Sequence, residues 1–142
     1  MDIKIGNREI PMALTTYELI AIQEEIGCTV GQLRDEVFGI EHNLETDEYK
    51  FTVVNDKEKL KKFGKLLRIL GNAGLEEAGQ EPDLTDKWVM RHMKPSMILP
   101  YAMLTVAEVI EGNKMEAPAK QDDGKPVDEG LEEQQAKKQQ GN

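Results

Sequence analysis

"LLRILGNAGLEEAGQEPDLTDKW", residues 66–88, is the stretch whose reading decides the fold. An apolar run with helical spacing meets Gly71, Gly74 and Gly79, with Glu76 and Glu77 among them. A phosphate-holding loop would follow a strand and end in Gly-Lys-Ser/Thr, because the lysine and hydroxyl engage phosphate and magnesium. Here the glycines follow a helix-like run, carboxylates stand where phosphate would lie, and GxGxxG is missing. "GNAG" also matches the GXXG loop that clamps an RNA backbone, but the following acids would repel that backbone. The pattern therefore predicts a flexible junction that lets a long helix and the Trp88 segment pack together.

Outward from this stretch, local signals place the other elements. Ile3, Ile5, Ile10, Met12 and Leu14 alternate around Gly6-Asn7, which predicts an N-terminal β-hairpin with Pro11 at an edge. Thr15 and Glu18 have capping-box spacing, Leu19, Ile22 and Ile26 form a stripe, and Gly27 closes the helix. "TVGQLRDEVFG" repeats this in miniature, with Thr29 and Gln32 capping, Leu33 and Val37 packing, and Gly39 ending it. Tyr49, Phe51 and Val53 alternate, giving a short strand near 49–53. Asn55 or Asp56 then caps a long helix through Leu70, with Leu60, Phe63, Leu67 and Leu70 on one face and solvated lysines on the other. Thr85 caps a short helix, and Pro95 suits the first turn of a last one ending at Gly112. Pro100 calls for a kink or a delayed start.

The fold class is mainly α (α+β): an N-terminal hairpin, then a compact bundle of four to six short helices. Residues 1–112 form the domain. Residues 113–142 have no periodicity or aromatic residue and many charges, so they read as a disordered tail.

Composition narrows the function. The 142 residues carry 27 acids against 18 bases, a formal charge of −9, which disfavours a nucleic-acid partner. A single cysteine, Cys28, precludes an internal disulfide and suits a reducing cytoplasm. No secretory leader is visible, and the longest apolar stretch, "MILPYAML", is far short of the roughly 20 residues a membrane span needs. Cys28, His42 and His92 are scattered singletons, so neither a metal site nor a nucleophilic triad is expected. A helix-turn-helix around Gly27 would offer Gln32 and Arg34 to bases, but also Asp35 and Glu36. No cofactor and no catalytic residue is expected.

Trp88, Met90, Met93, Met97 and Met103 make the C-terminal helices methionine-rich. Methionine fills irregular core gaps, and it also makes surfaces that adapt to varied apolar partners. The sequence leaves both readings open, and these five are the candidate partner-binding residues.

"ALTTYELIAIQEEIGCTVGQLRDEVFG" and, more strongly, "LLRILGNAGLEEAGQEPDLTDKWVMRHMKP" resemble tail assembly chaperones of long-tailed bacteriophages and prophages, notably those of Gram-positive hosts. The resemblance covers residues 1–112. It implies a non-enzymatic protein of the host cytoplasm, absent from the finished virion. Its partners would be the long, apolar tape measure protein and the tail tube protein, the latter reached through a −1 frameshifted extension. Ala136-Lys137-Lys138 can be encoded with a slippery A AAA AAG heptamer. Two other readings are a tail or connector structural protein and a small acidic regulator binding nucleic acid through 29–38 or Gly71–Gly74.

Overall fold

The computed structural model describes residues 1–111, of which Met1–Ile110 form one compact unit. The expectation for 113–142, and the helix end at Gly112, lie outside the described residues.

Strands β1 (Asp2–Ile5) and β2 (Arg8–Pro11) pair antiparallel in the register Ile3↔Ile10, as the alternation predicts. Gly6 holds the positive φ of 62° that the two-residue turn requires. Ile3, Ile5 and Ile10 all point into the core.

Helix α1 (Thr16–Glu25) opens with the predicted capping box: the Thr15 amide donates to the Glu18 carboxylate at 2.8 Å. Ile22 and Ile26 are buried, but Leu19 is 37% exposed, so it lies off the stripe expected of it. The Thr29–Gln32 box also forms, with the Thr29 amide on Gln32 at 2.8 Å. It caps a 3₁₀ turn (Val30–Gln32) and a π turn (Arg34–Phe38) instead of an α-helix. Leu33, Val37 and Phe38 are buried from these turns.

The strand expected near 49–53 is β4 (Glu48–Phe51), and Val53 falls in the 3₁₀ turn that follows it. Its partner β3 (Ile40–Asn43) was not foreseen. Residues 40–43 present a half-buried Ile40 and then three exposed side chains, so no buried face leaves a period-two pattern to read. His42 and Tyr49 stack across the pair at 4.3 Å, and Phe51 meets Phe38 edge-on, which ties the hairpin to the core.

Helix α2 (Lys57–Glu77) is capped by Asp56, whose side chain accepts from the Lys59 amide at 3.0 Å. It runs seven residues beyond Leu70, straight through Gly71 and Gly74. The junction expected at "GNAG" is therefore a continuous helix. The break comes at Gly79, where φ is 76° and the Gln80 amide returns to the Leu75 carbonyl at 2.8 Å.

The helical glycines exist for close approach. A Cβ on Gly74 would overlap the Pro11 carbonyl and stand 2.9 Å from the Met12 nitrogen; one on Gly71 would stand 2.6 Å from Leu84 Cδ1. In the same place the Ala13 amide donates to the Leu70 carbonyl at 3.1 Å. Backbone meets backbone there, which only glycine permits.

Nor are the basic residues of α2 simply solvated. Lys62 lies 3.8 Å from Glu36, Lys65 3.0 Å from Asp86, and Arg68 bonds both Asp86 and Glu25.

Gly74→Ala should cost about 1–3 kcal/mol through overpacking against rigid backbone, although alanine is the better helix former by about 1 kcal/mol. Gly64→Ala meets only the flexible end of Met90 and should stay within about 1 kcal/mol of wild type. Urea unfolding of the two variants checks this, and equal stabilities would refute the backbone contact.

Candidate functional site

The five candidate residues lie on α3 (Asp86–His92), at its C-cap Met93, on a 3₁₀ turn (Pro95–Met97) and on α4 (Ile98–Thr105). Thr85 caps α3 as expected, accepting from the Trp88 amide at 3.0 Å. Asp86 then receives Arg68 at 2.7 Å and Lys65 at 3.0 Å, which fixes α3 to α2. Asn72 adds a two-point clamp on the preceding loop, accepting from the Leu84 amide at 2.9 Å and donating to its carbonyl at 3.2 Å.

Trp88 is half-buried, with the His92 ring stacked 4.5 Å away and the Arg8 guanidinium 5.6 Å from its centroid. Met90 lies over Gly64 of α2 yet stays partly exposed. Met93 is 7% exposed and belongs to the core. Met93 and half-buried Met97 come together in a cleft of about 290 Å³ that also takes in Lys4, Asn7, Lys94 and Tyr101. The Tyr101 hydroxyl donates to the Lys4 carbonyl, joining α4 to the first hairpin, and burial pushes that phenol up, with Glu9 adding to the effect.

Helix α4 starts late, at Ile98, so Pro100 falls in its first turn, where a missing N–H costs no intrahelical bond. A π-helical segment, Val106–Glu111, follows α4 directly. Ala102, Thr105, Val106, Val109 and Ile110 face inward. On the other side Leu99, Pro100, Met103, Leu104 and Ala107 are all exposed, with Met103 at 52% and Leu99 at 42%. This strip carries no charge until Glu108.

Met103 is therefore the one candidate at the centre of an open apolar strip. Leu99 and Leu104 beside it were not foreseen. The clue was "MILPYAML" itself, a helix apolar on every side, of which a surface position can cover only part.

No family model, curated protein or solved structure matches the chain.

Among the described residues no helix is long and apolar enough to cross a membrane, and no group of three His, Cys, Asp or Glu is placed to hold a metal. Cys28 is buried, which pushes its thiol up, with Glu36 adding to the effect; a thiol so shifted is a poor nucleophile.

Burial pushes the Asp86 carboxyl up, but the hydrogen bonds from Arg68 and Lys65 outweigh it and hold the group below the usual carboxylate range. The network's stabilisation is thus complete above the unfolded value of about 3.9 and fades as pH falls through the lower folded-state value. Asp86→Asn should cost on the order of 1 kcal/mol at neutral pH, since solvent screens a partly exposed network. Urea unfolding of the two proteins should converge as pH drops from about 4 towards 2. A gap undiminished in acid would assign the loss to something other than the ion pairs.

Proposed function

We propose that this chain is a non-enzymatic tail assembly chaperone of a long-tailed bacteriophage or prophage. It acts in the cytoplasm of the bacterial host, holds the apolar tape measure protein while the tail is built, and is absent from the finished virion. The observation that carries this reading is the uncharged α4 strip of Leu99, Pro100, Met103, Leu104 and Ala107, exposed on an otherwise acidic chain. Contiguous exposed apolar surface on a small domain marks a binding face. A long helical client would lay its own apolar stripe along α4, as helices do in hydrophobic grooves.

Three further features support the reading. The resemblance of residues 13–39 and 66–95 to such chaperones points to this client class. Unbranched Met103 can repack against irregular client side chains. The charge of −9 keeps a complex with an apolar client dispersed, and it disfavours nucleic acid. Recruitment of tail tube subunits through a −1 frameshifted extension belongs to the same proposal. A gene whose codons for residues 136–138 cannot slip, or that lacks an overlapping −1 frame, would remove that part of it.

Co-expression with the long coiled, apolar protein encoded downstream provides the main test. The client's soluble fraction should rise and the two proteins should copurify. Leu99→Glu with Met103→Glu should weaken capture by about tenfold or more, as loss of central apolar anchors does, with little change in melting temperature. Met93→Ala should instead lower the melting temperature, at a cost of about 2–5 kcal/mol, because Met93 is buried. A client that stays insoluble, or this chain found in purified virions, would overturn the proposal.

A further inference from the structure

A second apolar face lies on α1. Tyr17 is 76% exposed and Ile20 53%, and Glu24 follows them at helical spacing on the same open side. Beside Tyr17 runs a groove of about 510 Å³, walled by Thr15, Tyr17 and Glu18 from the α1 end and by Ala73, Glu76 and Glu77 from α2.

The charges here are all of one sign. Helix α1 contains no basic residue, and the last turn of α2 contains none either. Glu76 and Glu77 occupy that last turn, where the negative end of the helix dipole opposes carboxylates and favours cations. Among the described residues neither forms an ion pair. This contrasts with Glu25, Glu36 and Asp86, each of which is paired to a cation of α2. Among the described residues, the carboxylates of other elements that meet the middle of α2 are thus paired, while these two stay open at the end where the helix dipole disfavours them.

We infer that the face shared by α1 and the C-terminal end of α2 is a docking surface for a cationic amphipathic helix of a partner protein. The partner's apolar stripe covers Tyr17 and Ile20, and its lysines or arginines meet Glu24, Glu76 and Glu77. Those cations supply the favourable charge that the end of α2 lacks. The inference stands independently of the chaperone reading, which uses the α4 strip.

Three synthetic peptides of about 18 residues provide the probe. All carry one leucine stripe, and their polar faces are lysine, glutamine or glutamate. Each is labelled with fluorescein, and its anisotropy is titrated with the full chain. The lysine peptide should bind about tenfold tighter than the glutamine peptide, weaken as salt rises, and outbind the glutamate peptide by more. Tyr17→Ser with Ile20→Ser, and Glu76→Gln with Glu77→Gln, should each weaken it by about tenfold. All four side chains are exposed, so these variants should melt like wild type. Glu41→Gln with Glu45→Gln makes the same charge change on the second hairpin and should leave binding unaltered. An equal loss in that control would mean diffuse attraction to an acidic protein and would overturn the inference. So would equal affinity for the glutamine peptide. A self-association in sedimentation that disappears with Tyr17→Ser would assign the face to a second copy, and the inference would again fail.

Discussion

The structure depends on one backbone contact, where the exit of the first hairpin presses on the glycine face of α2. The Ala13 amide reaches the Leu70 carbonyl, and the Pro11 carbonyl occupies the space a side chain at Gly74 would need. Gly71 makes the same room one turn earlier for Leu84 and Ile10. Placing glycine inside a helix costs about 1 kcal/mol per residue relative to alanine. The cost is offset because two elements can then sit closer than side chains allow, and Ile3, Ile5 and Ile10 are sealed against the helix. The position of α3 follows, since Leu84, which precedes it, rests on Gly71 while Asn72 holds its backbone. So does that of α4, whose Tyr101 bonds the hairpin itself.

This contact also explains where the sequence was legible and where it was not. Capping boxes, the Gly6-Asn7 turn and the Asp56 cap are decided within a few residues, and they can be read locally. A glycine in a helix is ambiguous locally, since the same residue marks a break or a close approach. Gly79 is the former and Gly74 the latter, and only the tertiary partner separates them. The second hairpin was hidden for another reason. Its side chains are mostly exposed, so burial imprints no alternation, and its turn rests on the Asn43 side chain accepting from the Glu45 and Thr46 amides. The motif "NLETD" carried that turn signal, but without flanking apolar alternation it lacked force.

The exposed strip on α4 was legible as a segment more than residue by residue. The Trp88–Met103 region does contain exposed apolar side chains, Leu99 and Met103 among them. Yet methionine at helical spacing does two jobs here: Met93 fills the core, and Met103 lies open. A helix apolar on all sides does not declare which side its neighbours cover. Tyr101 and Thr105 settle it for α4, the first by bonding Lys4 and the second by turning its hydroxyl back onto the Tyr101 carbonyl at 2.7 Å. With that side fixed inward, Leu99, Met103 and Leu104 can only face out.

Among the described residues, the α4 strip and the α1 face are both open and apolar, the one uncharged and the other rimmed by carboxylates. The α4 strip is uncharged from Leu99 to Ala107, so binding there would draw on burial, which is non-directional and little affected by salt. Under the proposed function, such a face would accept any apolar helix of suitable length, a useful property for holding a long client whose sequence varies along its path. The α1 face is rimmed by carboxylates, and its attraction is selective for cations and falls as ionic strength rises. Charge of this kind steers encounter and rejects wrong partners more than it adds affinity. On the two proposals made above, the first face would serve promiscuous holding and the second recognition of one partner. Among the described residues, α2 carries its buried side chains between Phe63 and Leu75, and α1 and α4 keep exposed apolar residues on their outer sides.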